Sequence, residues 1–147
     1  MNVTMYDLAA RHVGIVLERP GDADHPLVQW WMSLCAGFDL DTHDEVPWCS
    51  GFMNGMAWLV NAPRSKSAMA RSWLNQGIPT LLSEARVGFD LLILKRGAGP
   101  QPGADVVNAP GHVTLFAGIE GNVVLGLGGN QGNGVNIGRF KAADILG

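Results

Sequence analysis

The chain has 147 residues, of which 47% are hydrophobic, so it is long enough for one substantial core and too short for two comfortable domains. A net charge of −3, a pI near 5.7 and the lack of any run of lysine or arginine argue against a protein that binds nucleic acid or anionic lipid. Met1–Ala10 lacks the basic start and apolar run of a signal peptide, and no later stretch approaches about eighteen uninterrupted apolar residues. We therefore expect one domain over residues 1–147, made in the cytoplasm, with no stable membrane association.

Apolar residues in the first half of the chain recur at three- and four-residue steps, a spacing typical of helices with one buried face. Pro26 suits the first turn of the second such segment, and Asp22 or Asp24 is suitable as its N-cap. Ser65 or Ser67 can cap a short helix later in the chain. The four predicted helical segments are 5–16, 26–35, 49–60 and 65–74.

Many of the 20 glycines lie after Gly88, and there the apolar pattern shortens to runs typical of strands. Glu120-Gly121-Asn122 predicts a tight turn, which would join the second and third strands as a hairpin. The predicted strands are 89–94, 112–119, 123–127 and 135–137, with a loop at 97–111 and a closing segment at 139–146. The expected fold class is α+β, with N-terminal helices packed on an antiparallel sheet.

Cys49 lies where local physics can make a cysteine reactive. Val46-Pro47 disfavours helix just before it and a helical pattern follows, so Cys49 is expected in the first turn of a buried helix. Unpaired backbone N–H groups and the positive end of the helix dipole favour a thiolate at that position. The alternative is a small buried hydrophobe, which is how we interpret Cys35. Pairing of the two cysteines is disfavoured by their spacing and by a cytosolic origin.

A thiolate nucleophile needs a base, and the base needs a group that orients it. His112 is the one histidine of four that opens a predicted strand directly after a Gly/Pro loop, although a structural histidine is the alternative. Asn130 lies just beyond the partner strand of the hairpin, so its amide oxygen could accept the imidazole N–H. Glu120 is at the hairpin tip, too far along the strand. The histidines show no metal-ligand spacing, so neither a metal nor a cofactor is expected.

Five motifs occur in a fixed order between residues 44 and 131, within a region of resemblance that spans roughly residues 5–140. Together they resemble phage and bacterial proteins similar to the CHAP amidases and NlpC-type cell-wall peptidases, which share a papain-like fold. The insertion of Phe89 between Gly88 and Asp90, and the length of the loop at 97–111, depart from the usual pattern. The motifs are Asp-Glu-Val-Pro-Trp-Cys-Ser-Gly-Phe-Met-Asn (44–54), Ala-Arg-Ser-Trp-Leu (70–74), Leu-Leu-Ile-Leu-Lys-Arg-Gly (91–97), Gly-His-Val (111–113) and Leu-Gly-Gly-Asn-Gln (127–131).

This resemblance implies a Cys-His-Asn thiol mechanism with Cys49 as nucleophile, His112 as base and Asn130 as the orienting residue, the adjacent Gln131 being the alternative. A Cys49 thiolate paired with a His112 imidazolium would attack a carbonyl, and the Cys49 backbone N–H would receive the oxyanion. Trp48, beside the nucleophile, is expected to contact substrate. Asp44 and Gln131 are the other expected substrate-binding residues.

The activity implied is hydrolysis of an amide bond in peptidoglycan by a cysteine amidase or peptidase. The resemblance favours a monomeric phage endolysin, which would act in the periplasm or cell wall after release or export. Two alternatives stay open: a secreted interbacterial amidase toxin, and a catalytically silent peptidoglycan-binding or structural protein on the same scaffold. The sequence does not determine which bond is cut.

Overall fold

The computed structural model describes residues 2–147, and within them the chain forms α-helices first and a β-sheet second, as the sequence predicts. The α-helices are α1 (Met5–Ala10), α2 (Pro26–Ser33) and α3 (Cys49–Leu59). The strands are β1 (Leu91–Lys95), β2 (Gly111–Glu120), β3 (Val123–Gly128) and β4 (Asn136–Lys141). Short 3₁₀ helices lie at Ala70–Asn75, Leu82–Glu84 and Ala142–Asp144.

The strands form one antiparallel sheet in the order β1-β2-β3-β4, so each strand pairs with its neighbour in the chain. Gly121 supplies the positive φ of 60° that the tight turn between β2 and β3 requires. Leu94 in β1 is paired with His112 in β2. The α+β class and the antiparallel sheet are confirmed.

Two helix boundaries and one helix cap differ from the predicted ones. The first helix ends at Ala10 rather than at residue 16, since Gly14 donates its N–H to the carbonyl of Val135 and draws the chain toward the sheet. The N-cap of α2 is His25. The segment at 65–74 is 3₁₀ only from Ala70, because its first residues bond to the Asn54 side chain instead.

The predicted caps of α2 are therefore wrong. The carboxylate of Asp24 instead accepts hydrogen bonds from two residues of a later loop. It accepts the backbone N–H of Asp44 at 2.8 Å and the ring Nδ1–H of His43 at 2.9 Å. The fourth strand also extends further than residues 135–137, because all of Asn136–Lys141 pairs with β3.

The main core lies between the sheet and the three α-helices. In α3 every side chain from Cys49 to Ala57 is buried, and Phe52 packs edge-on against Trp31 of α2 with ring centroids 4.9 Å apart. Val113 and Leu115 of β2 face this core. Because side chains alternate along a strand, His112 lies on the other face of the sheet, which carries a smaller apolar cluster around Leu94, Phe116 and Phe140.

None of the helices in residues 2–147 combines the length and apolar character needed to cross a membrane.

The close contact between α2 and α3 leads to a testable prediction about Gly55. A methyl group there would overlap the ring of the fully buried Trp31, whereas a methyl group at Gly51 would meet the flexible Met32 side chain. Overpacking of this kind costs about 1–3 kcal/mol. Because alanine gains the same helix propensity at both positions, we expect Gly55→Ala to be less stable than Gly51→Ala by about that amount, measured by urea denaturation.

Gly51→Ala is the matched control, since Gly51 lies in the same helix and the substitution adds the same methyl group. It should stay within about 1 kcal/mol of the original chain, because the gain in helix propensity offsets the movement of Met32. Equal losses in the two variants would contradict this account of the α2–α3 contact.

Candidate active site

Cys49 is the first residue of α3, as the sequence predicts, and its side chain is 2% exposed. Burial raises the pKa of the Cys49 thiol above its ordinary value. The backbone N–H groups of Val113, Ser50 and Cys49 itself and the charge of Arg96 act in the opposite direction by favouring the thiolate. Since burial prevails, the thiol is protonated at pH 7.

Cys35 is also a free, buried thiol, and burial raises its pKa to about 11. Its sulfur accepts a hydrogen bond from Nδ2 of Asn54 at 3.7 Å. It belongs to the packing between α2 and α3, so the two cysteines occupy different environments.

His112 is held by the side chain of Gln131, which lies in the loop after β3. The Nε2–H of His112 donates to Oε1 of Gln131 at 2.9 Å, and the ring packs against Phe140 at a centroid distance of 5.4 Å. The imidazole is 6% exposed, and burial lowers the pKa of His112 even though the bond to Gln131 raises it. The ring is therefore neutral at pH 7.

The orientation of the Gln131 carboxamide fixes the tautomer of that neutral ring. Its Nε2 donates to the carbonyl of Gly126 at 3.2 Å, and to the carbonyl and Oδ1 of Asn136 at 2.8 and 3.0 Å. Because the carboxamide nitrogen faces three acceptors, the carboxamide oxygen must face His112. An oxygen can only accept, so the proton must be on Nε2 of the imidazole. The lone pair is then on Nδ1, as a general base requires.

Asn136 completes this arrangement and was not identified from the sequence. Its Nδ2 donates to the backbone carbonyl of Gln131, so the two amides bind each other reciprocally. The signal in the sequence that could have pointed to Asn136 is the cluster of carboxamide residues in the glycine-rich turn after β3. A cluster of that kind does not reveal which amide faces the histidine.

Asn130 does not orient His112, so that prediction is wrong. Its backbone has a φ of 56°, and its carboxamide turns toward the helical side of the molecule. In the orientation that satisfies both partners, the oxygen accepts the backbone N–H of Trp48 at 3.2 Å and the nitrogen donates to Oε1 of Glu18 at 3.0 Å. Asn130 thus holds the residue before Cys49, while Gln131 holds His112.

Trp48 and Asp44, two of the three expected substrate-binding residues, are both fully buried. Trp48 stacks on Trp31 at 5.8 Å and donates its indole N–H to Glu18 at 2.7 Å. The Asp44 carboxylate accepts the backbone N–H groups of Arg19 and His25, so it ties two loops together. Neither side chain can touch a substrate in this conformation, and both assignments are corrected.

A cavity of about 470 Å³ opens beside His112. It includes three predicted residues, His112, Asn130 and Gln131, although the Gln131 carboxamide is already occupied by His112. Cys49 does not line this cavity. The remaining lining residues are cations, glycines and two others: Lys95, Arg96, Arg139, Gly97, Gly132, Gly138, Asn136 and Phe140.

Cys49 belongs to the main core on one face of the sheet, whereas His112 packs against Phe140 on the other face. Among residues 2–147 no hydrogen bond joins the sulfur of Cys49 to the imidazole. Of the three backbone N–H groups that favour the Cys49 thiolate, the one with the largest effect belongs to Val113, the residue directly after His112. The charge of Arg96 also acts on both the thiol and the imidazole. The two groups therefore lie in one neighbourhood at the start of β2, with the thiol behind the wall of the cavity.

The loop before His112 is held by Arg71, whose role the sequence did not indicate. The fully buried guanidinium donates to the carbonyls of Pro102, Gly103, Val106 and Pro110 at 2.8–3.1 Å. These bonds satisfy backbone acceptors of a loop that has almost no regular structure. They fix the point at which β2 begins, and with it the position of His112.

In the part of the chain that the structure describes, no group of three or more His, Cys, Asp or Glu side chains is arranged to hold a metal ion. Comparisons with protein-family models, with curated proteins and with solved structures find no match to the chain.

The environments of His112 and His43 predict opposite titrations. Burial lowers the pKa of His112, whereas the hydrogen bond to Asp24 raises that of the exposed His43. In an NMR pH titration, His112 should have a midpoint below 6.5 and His43 one above it. Because the folded pKa of His112 is lowered, its contribution to stability is complete above about pH 6.5 and is lost as the pH falls below that value. A His112 midpoint above that of His43 would contradict the burial described.

The bond between His112 and Gln131 makes a separate prediction about the tautomer. Gln131→Leu removes the acceptor, so NMR of the ring nitrogens should show loss of the pure Nε2–H form. Stability should fall by about 1–3 kcal/mol, because a buried donor is left unpaired. Asn130→Gly is the control: glycine tolerates the positive φ, and the tautomer should not change. A change in Asn130→Gly alone would restore Asn130 as the orienting residue.

Proposed function

We propose that the chain is a cysteine amidase or peptidase that hydrolyses an amide bond in peptidoglycan, with a papain-like scaffold of the CHAP/NlpC type. Cys49 is the nucleophile, His112 the base and Gln131 the orienting residue. The observation that supports this most strongly is the His112–Gln131 hydrogen bond, which leaves a lone pair on Nδ1 of a buried histidine. That histidine directly precedes Val113, whose backbone N–H is one of three that favour the Cys49 thiolate.

The order of the elements supports the same scaffold. A cysteine begins a buried helix, a histidine lies at the start of an antiparallel strand, and a polar side chain after the next strand binds its ring. The family that the sequence resembles has this order of nucleophile, base and orienting group. Gln131 takes the place expected for Asn130 without changing the chemistry, because both side chains offer an amide oxygen.

The burial of both groups determines how the first step proceeds. Because the thiol and the imidazole are neutral at rest, the proposed mechanism does not begin from a thiolate–imidazolium pair. The proton passes from Sγ of Cys49 to Nδ1 of His112 as the sulfur attacks the carbonyl carbon. Backbone N–H groups at the start of α3 receive the oxyanion.

His112 then gives the same proton to the leaving amine, and an acyl-thioester on Cys49 remains. Nδ1 next accepts a proton from water, whose oxygen attacks the thioester carbonyl. The C–S bond then breaks, the carboxylic acid leaves, and Nδ1 returns the proton to Sγ of Cys49. Gln131 accepts the Nε2–H throughout and stabilises the imidazolium without taking its proton. The biological role we propose is that of a phage endolysin, with an interbacterial amidase toxin as the alternative that uses the same chemistry.

A second candidate function is favoured by the position of Cys49. Its side chain is 2% exposed and does not line the cavity beside His112, so it has no open path to a substrate in this conformation. A catalytically silent protein that binds peptidoglycan in that cavity would need no such path. Catalysis requires the start of β2 to move enough to expose the sulfur.

Purified peptidoglycan sacculi distinguish these candidates. We expect the protein to release new amino groups, and Cys49→Ala to lower the rate by at least about 10³-fold, since the nucleophile is lost. Lysis of outer-membrane-permeabilised Gram-negative cells should fall in parallel. Mass spectrometry of the fragments identifies the bond that is cut.

Cys35→Ala is the matched control, because Cys35 is the other buried free thiol and has no part in the mechanism. It should retain activity when assayed below its own melting temperature. If the unaltered protein binds sacculi but releases no amino groups, the hydrolase is rejected in favour of the silent binding protein.

A further inference from the structure

The wall of the cavity beside His112 is strongly cationic although the chain as a whole is acidic. Three cationic residues are among those that line the cavity, and they flank His112 on both sides: Lys95 ends β1, Arg96 follows it and Arg139 lies on β4. No aspartate or glutamate is among the residues that line it. With a net charge of −3 for the whole chain, this concentration of positive charge is local.

Two of these cations have no carboxylate partner within residues 2–147. Neither Lys95 nor Arg96 is in an ion pair there, and Arg139 pairs with Glu120 at 2.8 Å. The Arg139 and Glu120 side chains are 60% and 55% exposed, so their ion pair is weak and can be exchanged for another anion. Positive charge in the cavity is therefore available to a ligand.

Arg96 links this charge to the reacting groups. Its positive charge acts to lower the pKa of the Cys49 thiol, against the larger effect of burial, and also acts to lower the pKa of the His112 imidazole. The electrostatic field of Arg96 therefore reaches both groups. An anion bound by Arg96 would lie beside His112, the proposed base, because both residues line the cavity. The imidazole is 6% exposed, so a ligand held in the cavity would meet a largely desolvated ring.

The shape and chemistry of the wall favour a carboxylate on an extended peptide. Gly132 offers backbone with open space beside its Cα, which permits close approach of another main chain. An arginine guanidinium matches the planar carboxylate with paired N–H donors. Nucleic acid is disfavoured because the cations line one cavity rather than a surface stripe.

We infer that the site selects peptides that carry a free carboxylate next to the scissile amide, with Arg96 and Lys95 as the specificity-determining residues. This inference rests on the proposed function and extends it to the substrate class. Stem peptides of peptidoglycan present such carboxylates, and amidation of those groups removes the charge. The protein should therefore act on walls with free carboxylates in preference to amidated ones.

Two synthetic stem peptides of the same sequence test the inference, one with free side-chain and α-carboxylates and one with those groups amidated. Binding is measured by calorimetry on Cys49→Ala, which cannot cleave, and kcat/KM is measured on the unaltered protein. We expect the free form to be preferred by about tenfold or more in both, since hydrogen bonds to charged groups contribute that much. High salt should reduce the preference.

The double variant Lys95→Gln/Arg96→Gln should bind the two peptides equally. Arg86→Gln is the control, because Arg86 is an exposed cation in an ion pair with Asp90 and does not line the cavity. It should keep the preference. Circular dichroism of each variant verifies the fold.

The outcomes separate the inference from the proposed function. Equal cleavage of both peptides by the unaltered protein, unchanged in the double variant, overturns the inference and supports the hydrolase. Selective binding of the free form without cleavage supports the inference and overturns the hydrolase. Failure of Cys49→Ala to bind the free form more tightly than the amidated one overturns the inference.

Discussion

The hydrogen bond from His112 to Gln131 is the interaction on which the candidate site depends. Three acceptors hold the nitrogen of the Gln131 carboxamide, so its oxygen is directed at Nε2 of the imidazole. That single contact determines the plane of the ring, its tautomer and the location of its lone pair. A histidine on the same strand without this partner could take either tautomer, and the chemistry proposed for Nδ1 would lose its basis.

Burial has opposite effects on the pKa values of the Cys49 thiol and the His112 imidazole and leaves both groups neutral. Desolvation raises the pKa of the Cys49 thiol and lowers that of the His112 imidazole. A protonated thiol is a poor nucleophile and is also slow to oxidise, so burial protects the Cys49 sulfur from oxidation. In the proposed mechanism, activation depends on substrate contact, in which proton transfer and attack occur together.

Two neighbouring carboxamides connect the helical and strand parts of the molecule. Asn130 binds the backbone of Trp48 and the carboxylate of Glu18, which also accepts the Trp48 indole N–H. Gln131 binds His112 on the other side. The turn after β3 therefore sets the position of the helix that carries Cys49 and the orientation of the histidine, and a shift in that turn would disturb both.

The sequence by itself determined the α+β class, the place of Cys49 at the start of α3, and the strand that His112 opens. These features follow from apolar periodicity and from turn residues, which act over a few neighbouring positions. Only the tertiary structure decided that Gln131 rather than Asn130 binds the imidazole, that Trp48 and Asp44 are buried, and that Arg71 fixes the loop before β2. Lys95, Arg96 and Arg139 likewise meet around one cavity only after β1 and β4 are placed in the sheet. The physical reason is that these contacts join residues far apart in the chain, and the direction of each side chain is set by packing and not by its neighbours in sequence.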